Sequence, residues 1–144
     1  MSDGRIVSLH ICTGHFEPMD DVGSVNMLAG FGIEGDRHAT DSPSRKHRQV
    51  LLMDEETLDV FGLKQGEVRE NVTTSGIDIH SLPKGQRLSL GDQVVLEITG
   101  FCDPCQFIED KEPGLRDRMT DRRGMLTHVV EGRVVNAGDS VKPL

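Results

Sequence analysis

Gln86-Arg87-Leu88-Ser89-Leu90-Gly91-Asp92-Gln93-Val94-Val95-Leu96-Glu97-Ile98 decides the fold. It reads as two aliphatic strands, Gln86 to Leu90 and Val94 to Ile98, folded back at a tight Gly91-Asp92 turn. The tail repeats the idea. Val134-Val135-Asn136-Ala137-Gly138-Asp139-Ser140-Val141 resembles Leu88-Ser89-Leu90-Gly91-Asp92-Gln93-Val94. Two copies of a common turn do not make a repeat architecture.

Outward from this hairpin the same texture holds. Arg5 to Ile11, Val25 to Leu28, Gln49 to Met53, Glu67 to Thr73 and Met125 to Val130 each read as a short strand. Asp54 offers an N-cap for a helix running to Val60, with Glu55 and Glu56 at its positive end and Gly62 stopping it. Gln106 to Thr120 is polar and reads as helical. Short strands punctuated by turns, without an alternating strand-helix rhythm, predict a mainly β domain. We expect an antiparallel β-barrel, closed or partly open, with a few short peripheral helices. No Pro-rich linker or low-complexity segment divides residues 1–144, which read as one domain.

Composition bounds the partners. The chain has 144 residues, enough to close a core without a metal or a disulfide. With five Phe and no Trp or Tyr, that core must be built from Val, Ile, Leu and Met. A formal charge of -8 repels phosphate backbones and disfavours a nucleic-acid footprint, while still permitting a local pocket for a small anion. No window approaches the length of a membrane span, so no membrane partner is expected. Three Cys cannot all pair, and the start of the chain lacks a signal-peptide profile. Reduced thiols in the cytoplasm are expected.

Several motifs carry competing readings. Gly30-Phe31-Gly32-Ile33-Glu34-Gly35 spells G-x-G-x-x-G, but the following Asp36 to Ser44, with Pro43, reads as a loop rather than the helix a dinucleotide site requires. No nucleotide is expected. Arg37, Arg45, Lys46 and Arg48 concentrate positive charge in an acidic protein. They form either a solvated loop balanced by Asp36 and Asp41 or an anion pocket.

Cys102-Asp103-Pro104-Cys105 follows the strand Val94 to Ile98 directly. A zinc site would want a second ligand pair, which neither Cys12 nor His128 supplies, so no zinc is expected. A thioredoxin-type pair would want a strand-helix unit. What remain are a reactive thiolate held on a turn and two small residues packed inertly at a strand end. His10, His15, His38, His47, His80 and His128 show no metal-binding spacing. Arg116, Arg118, Arg122 and Arg123 alternate with Asp117 and Asp121, which reads as a self-compensated face.

Gly32-Ile33-Glu34-Gly35-Asp36-Arg37-His38, Arg48-Gln49-Val50-Leu51-Leu52, Gly66-Glu67-Val68-Arg69-Glu70-Asn71 and Pro104-Cys105, followed by strand patterns like Arg87-Leu88-Ser89-Leu90-Gly91-Asp92, resemble the ordered signature of MOSC domains. The family takes its name from the C-terminal region of molybdenum cofactor sulfurases. The resemblance covers nearly the whole chain. It implies a β-barrel that binds a pterin molybdenum cofactor or handles sulfur destined for it.

It also implies that Cys105 is the functional thiol, either ligand to molybdenum or carrier of a persulfide. Cys102 has no equally firm counterpart. Arg37, His38 and Arg48 would pair with the cofactor's phosphate, and Asn71 would hydrogen-bond the pterin edge. The first reading is reduction of N-hydroxylated compounds, with electrons from an external electron-transfer protein. The alternative is a sulfur carrier served by a sulfur-donor protein and without turnover of its own. No aminotransferase-like segment with a cofactor-binding Lys is present, which sets the chain apart from a complete sulfurase. Substrate and oligomeric state are left unassigned.

Overall fold

In the computed structural model, residues 3–14 and 18–144 are described; His15 lies outside them. The chain opens with β1 (Gly4–Ile11), β2 (Asp20–Val22), β3 (Ser24–Leu28) and β4 (Gly32–Ile33). A charged loop then leads into β5 (Val50–Asp54), α1 (Glu55–Val60) and β6 (Val72–Ser75). The hairpin follows as β7 (Arg87–Leu90) and β8 (Val94–Phe101), with α2 (Gln106–Glu109) and α3 (Leu115–Arg118) after it. β9 (Met125–Glu131), β10 (Val134–Asn136) and β11 (Ser140–Pro143) complete the chain.

Seven strands run β11-β7-β8-β9-β5-β6-β1 and close on themselves through β1–β11, so the barrel is closed and mainly β. Closure removes the free edges that an open sheet would expose. The pairs are antiparallel except β5–β6, where Leu52 faces Val72 in parallel register. The connection between those two contains α1, as a parallel return requires. β2 extends the barrel beside β1, and β10-β3-β4 form a small separate sheet.

The decisive hairpin is as expected: Leu90 pairs with Val94 and Leu88 with Leu96. Ile6, Leu9, Leu52, Leu88, Leu96 and Ile98 are wholly buried and fill the barrel with aliphatic side chains. A second small core of Met53, Leu58, Val68, Ile108, Leu115 and Met119 lies where α1, α2 and α3 cover one side. Each fully buried aliphatic side chain contributes on the order of 1.5–3 kcal/mol of transfer free energy.

Two elements differ from the sequence reading. The strand expected over Glu67 to Thr73 begins only at Val72. Glu70 is buried, and its carboxylate accepts from the Gly66 amide at 2.9 Å and the Thr73 hydroxyl at 2.7 Å, which curls the chain. Gln106 to Thr120 forms two helices rather than one. Pro113-Gly114 breaks it, and the Glu109 carboxylate accepts from the Gly114 and Arg116 amides across the break.

Candidate functional site

Phe101 at the end of β8 pairs with Met125 at the start of β9. Beyond that pair β8 leaves the barrel through Cys102, and β9 is entered from Arg123 and Gly124. The Cys102 amide donates to the Gly124 carbonyl at 2.9 Å, extending the ladder by one bond. Gly124 donates its own N–H to His80 Nε2 at 3.0 Å. Its φ of +112° and the approach of the Leu52 carbonyl, 2.6 Å from where a Cβ would stand, leave no room for a side chain.

The opposite wall is built by Asn71, which is 1% exposed. Its side-chain amide donates to the His10 carbonyl at 3.2 Å and to Asp36 Oδ1 at 3.1 Å, and its Oδ1 accepts from the Leu51 amide at 3.0 Å. Asp36 Oδ1 also accepts from the Cys12 amide at 2.7 Å, and Oδ2 accepts from the His38 amide at 3.0 Å. Asn71 therefore ties β1 and β5 to the loop carrying His38. A buried carboxylate saturated with donors in this way is the affordable form of a buried charge.

Between these walls lies a cavity of about 90 Å³. Arg48, Arg69 and Arg123 supply its positive charge, His38 an imidazole, Cys102 its thiol, and Leu51 and Leu126 its apolar patches. His38 Nδ1 stands 3.5 Å from Asp36. Arg69 holds a left-handed φ of +66°, and its Nη2 donates to Cys12 Sγ at 2.8 Å while its guanidinium lies over the Phe107 ring. A larger groove of about 580 Å³ shares Arg69 with the cavity and is lined by His10, Phe107 and Lys111.

The structure brings His38, Arg48 and Asn71 together in the cavity. Arg37 and Cys105 do not line it. Arg37 is exposed, its amide donating to the Cys12 carbonyl at 2.7 Å, and Cys105 is exposed as the N-cap of α2. Cys102, 7% exposed, is the thiol that faces the cavity. Burial pushes its thiol up from the ordinary value; the charges of Arg123 and Arg48 pull the other way, while Cys105 and Asp103 push it up further.

Arg123 was hidden in what reads as a self-compensated face. Arg118 instead pairs with Glu112, Arg122 lies 5.3 Å from the Phe61 ring centroid, and Arg123 is buried. The sequence signal that separates Arg123 is its place immediately before the glycine that precedes β9. Arg69 gave no comparable signal.

Among the described residues no cluster of three His, Cys, Asp or Glu side chains converges on a metal-sized point, and no helix is long and apolar enough to cross a membrane. A thiol and several cations are the donor set on offer. They suit a soft, thiolate-binding metal carried by an anionic cofactor better than a metal held by protein ligands alone.

The MOSC domain family model matches residues 34–142. No curated protein matches the chain in sequence. Among solved structures, the YuaD protein of Bacillus subtilis superposes with a TM-score of 0.81 at 20% identity, covering 99% of this chain and 96% of that one. YiiM from Geobacillus stearothermophilus gives 0.77 at 14% identity, with 98% and 75% covered. YiiM from Escherichia coli gives 0.67 at 17% identity, with 97% and 69% covered. At these identities the likeness is one of fold.

Proposed function

The chain belongs to the MOSC domain family, and on that premise we propose that it binds a pterin molybdenum cofactor with Cys105 as the thiolate ligand and reduces N-hydroxylated compounds. Electrons would come from a separate redox protein, because the chain carries no flavin or iron-sulfur motif. The family is associated with molybdenum cofactor binding. The observation that carries the reading is the cation-lined cavity at the end of β8, beside the Cys102-Asp103-Pro104-Cys105 turn, in a protein of net charge -8.

When bound, the molybdenum centre supplies two-electron chemistry. This chain's residues would do the rest. Cys105 offers an exposed soft donor on a backbone fixed by Pro104. Arg48 and His38, with Arg37 at the rim, would hold the cofactor's negative charge. Asn71 would serve mainly through Asp36, keeping the His38 loop in place; a contact with the pterin edge would have to share an amide already engaged. The groove that shares Arg69 with the cavity is lined by Phe107 and Lys111, with both cations over the Phe107 ring, and would offer a substrate mixed apolar and cationic contacts.

The exposure of Cys105 favours a second reading, a sulfur carrier. Its thiolate would attack the outer sulfur of a donor protein's persulfide, forming a new S–S bond as the donor cysteine leaves as a thiolate. Turnover of an N-hydroxylated compound with an artificial reductant, measured alongside intact mass, separates the two. Reduction that disappears in Cys105→Ala supports the enzyme. A cyanide-labile gain of one sulfur on Cys105, with no reduction, makes the protein a carrier.

A further inference from the structure

We propose that Arg123 is the buried anchor of an oxyanion subsite, gripping a phosphate-sized tetrahedral group inside the cavity at the Cys102 end of β8. Arg123 is 5% exposed, and its Nε and Nη1 have no hydrogen-bond partner. A guanidinium is charged at every accessible pH, and burying one with its donors unanswered is costly, so such a group marks a place where an acceptor belongs.

The neighbouring acids are committed elsewhere. Asp36 already accepts from the Cys12, His38 and Asn71 donors, and Asp103 is exposed. Other arginines of the same run have partners, Arg118 in Glu112 and Arg122 in the Phe61 ring. Arg123 faces the cavity together with Arg48 and His38. The two guanidinium charges and the His38 imidazole share a single space.

Size selects the ligand. At about 90 Å³ the space suits one oxyanion and falls well short of the roughly 300 Å³ of a typical small-molecule pocket. An arginine fork meets two oxygens of a phosphoryl group with parallel N–H donors, which an ammonium cannot reproduce. The inference deepens the cofactor reading and rests on it for the natural ligand, a phosphorylated cofactor; the subsite itself rests on Arg123.

The test uses metal-free protein titrated with inorganic phosphate at constant ionic strength, with chloride as the control, followed by calorimetry and thermal unfolding. Wild type should show saturable heat and a phosphate-specific rise in Tm. Arg123→Gln should bind about tenfold more weakly or worse, as expected for one lost charge-assisted pair. Arg123→Lys, which keeps the charge and loses the fork, should fall between them, and it decides the matter if Arg123→Gln does not fold. No phosphate-specific effect in wild type, or wild-type affinity in either variant, overturns the subsite. Phosphate binding that depends on Arg123 in a protein that never carries pterin sinks the cofactor reading and leaves the subsite standing.

Discussion

Cys102 and Gly124 are joined by one backbone hydrogen bond of 2.9 Å, and that bond sets the chemistry of the site. It holds the end of β8 against the entrance to β9, so that the Cys102 thiol and the Arg123 guanidinium, one residue before Gly124, face the same cavity. Gly124 is also tied through His80 to Asp54 at the end of β5. Three barrel strands thus position the pocket.

Gly124→Ala should therefore be strongly destabilising. The left-handed φ and the Leu52 carbonyl 2.6 Å from the new Cβ require the backbone of β5 or β9 to move. A loss of about 2–4 kcal/mol is expected in urea unfolding. A variant as stable as wild type would show that the site is not built around this glycine.

Asn71 gives a comparison of two substitutions. Asn71→Ala leaves Asp36 and the Leu51 amide short of partners, a loss of about 1–3 kcal/mol. Asn71→Asp sets a second buried carboxylate against Asp36 and should be worse than Asn71→Ala at neutral pH. Denaturant midpoints at pH 7 check the order; the reverse order would contradict the network described.

Acid should weaken the fold through Asp54. Burial alone would raise its carboxyl, but the His80 imidazole, 3.4 Å from Oδ1, and the Thr57 hydroxyl hydrogen-bonded to Oδ2 outweigh that and hold it below the ordinary 3.8. A carboxyl depressed in the folded state contributes stability fully above its unfolded value, and that contribution is lost as pH falls through the lower folded value. Unfolding midpoints from pH 7 to pH 2 should fall below about pH 4 in wild type, and less steeply in Asp54→Asn. Parallel curves would remove Asp54 from the account.

The two thiols of the turn should react differently. Cys105 is exposed and should be alkylated readily, whereas Cys102 is buried with its thiol pushed up, so its labelling should lag and rise only in alkali. Arg123→Gln removes a charge that favours the Cys102 thiolate and should move its labelling to still higher pH. Peptide mapping after timed alkylation reads both rates. Equal rates for the two cysteines would refute the burial argument.

Much of the barrel was legible because its signal is local. The Gly91-Asp92 hairpin and the aliphatic runs at Arg5 to Ile11 and Met125 to Val130 specify strands by their own residue types, and the structure forms them there. The parallel β5–β6 pair was not legible, since register between distant segments depends on how α1 and the Glu70 turn return the chain. Of the residues proposed for the site, the sequence motifs singled out His38, Arg48 and Asn71, which the fold gathers along one cavity, while Arg37 and Cys105 lie outside its lining. The place of Arg123 at that cavity was not legible, because an arginine among aspartates looks solvated until the fold buries it, and the burial of Cys102 there is likewise set by the tertiary fold and not by the C-x-x-C spacing.

The most direct measurement is the molybdenum and pterin content of protein purified from cells that make the cofactor, wild type beside Cys105→Ala. The account predicts stoichiometric molybdenum and pterin in wild type and a loss of molybdenum in the variant. Clean wild-type protein without either component, or a variant that retains its full molybdenum, would contradict it.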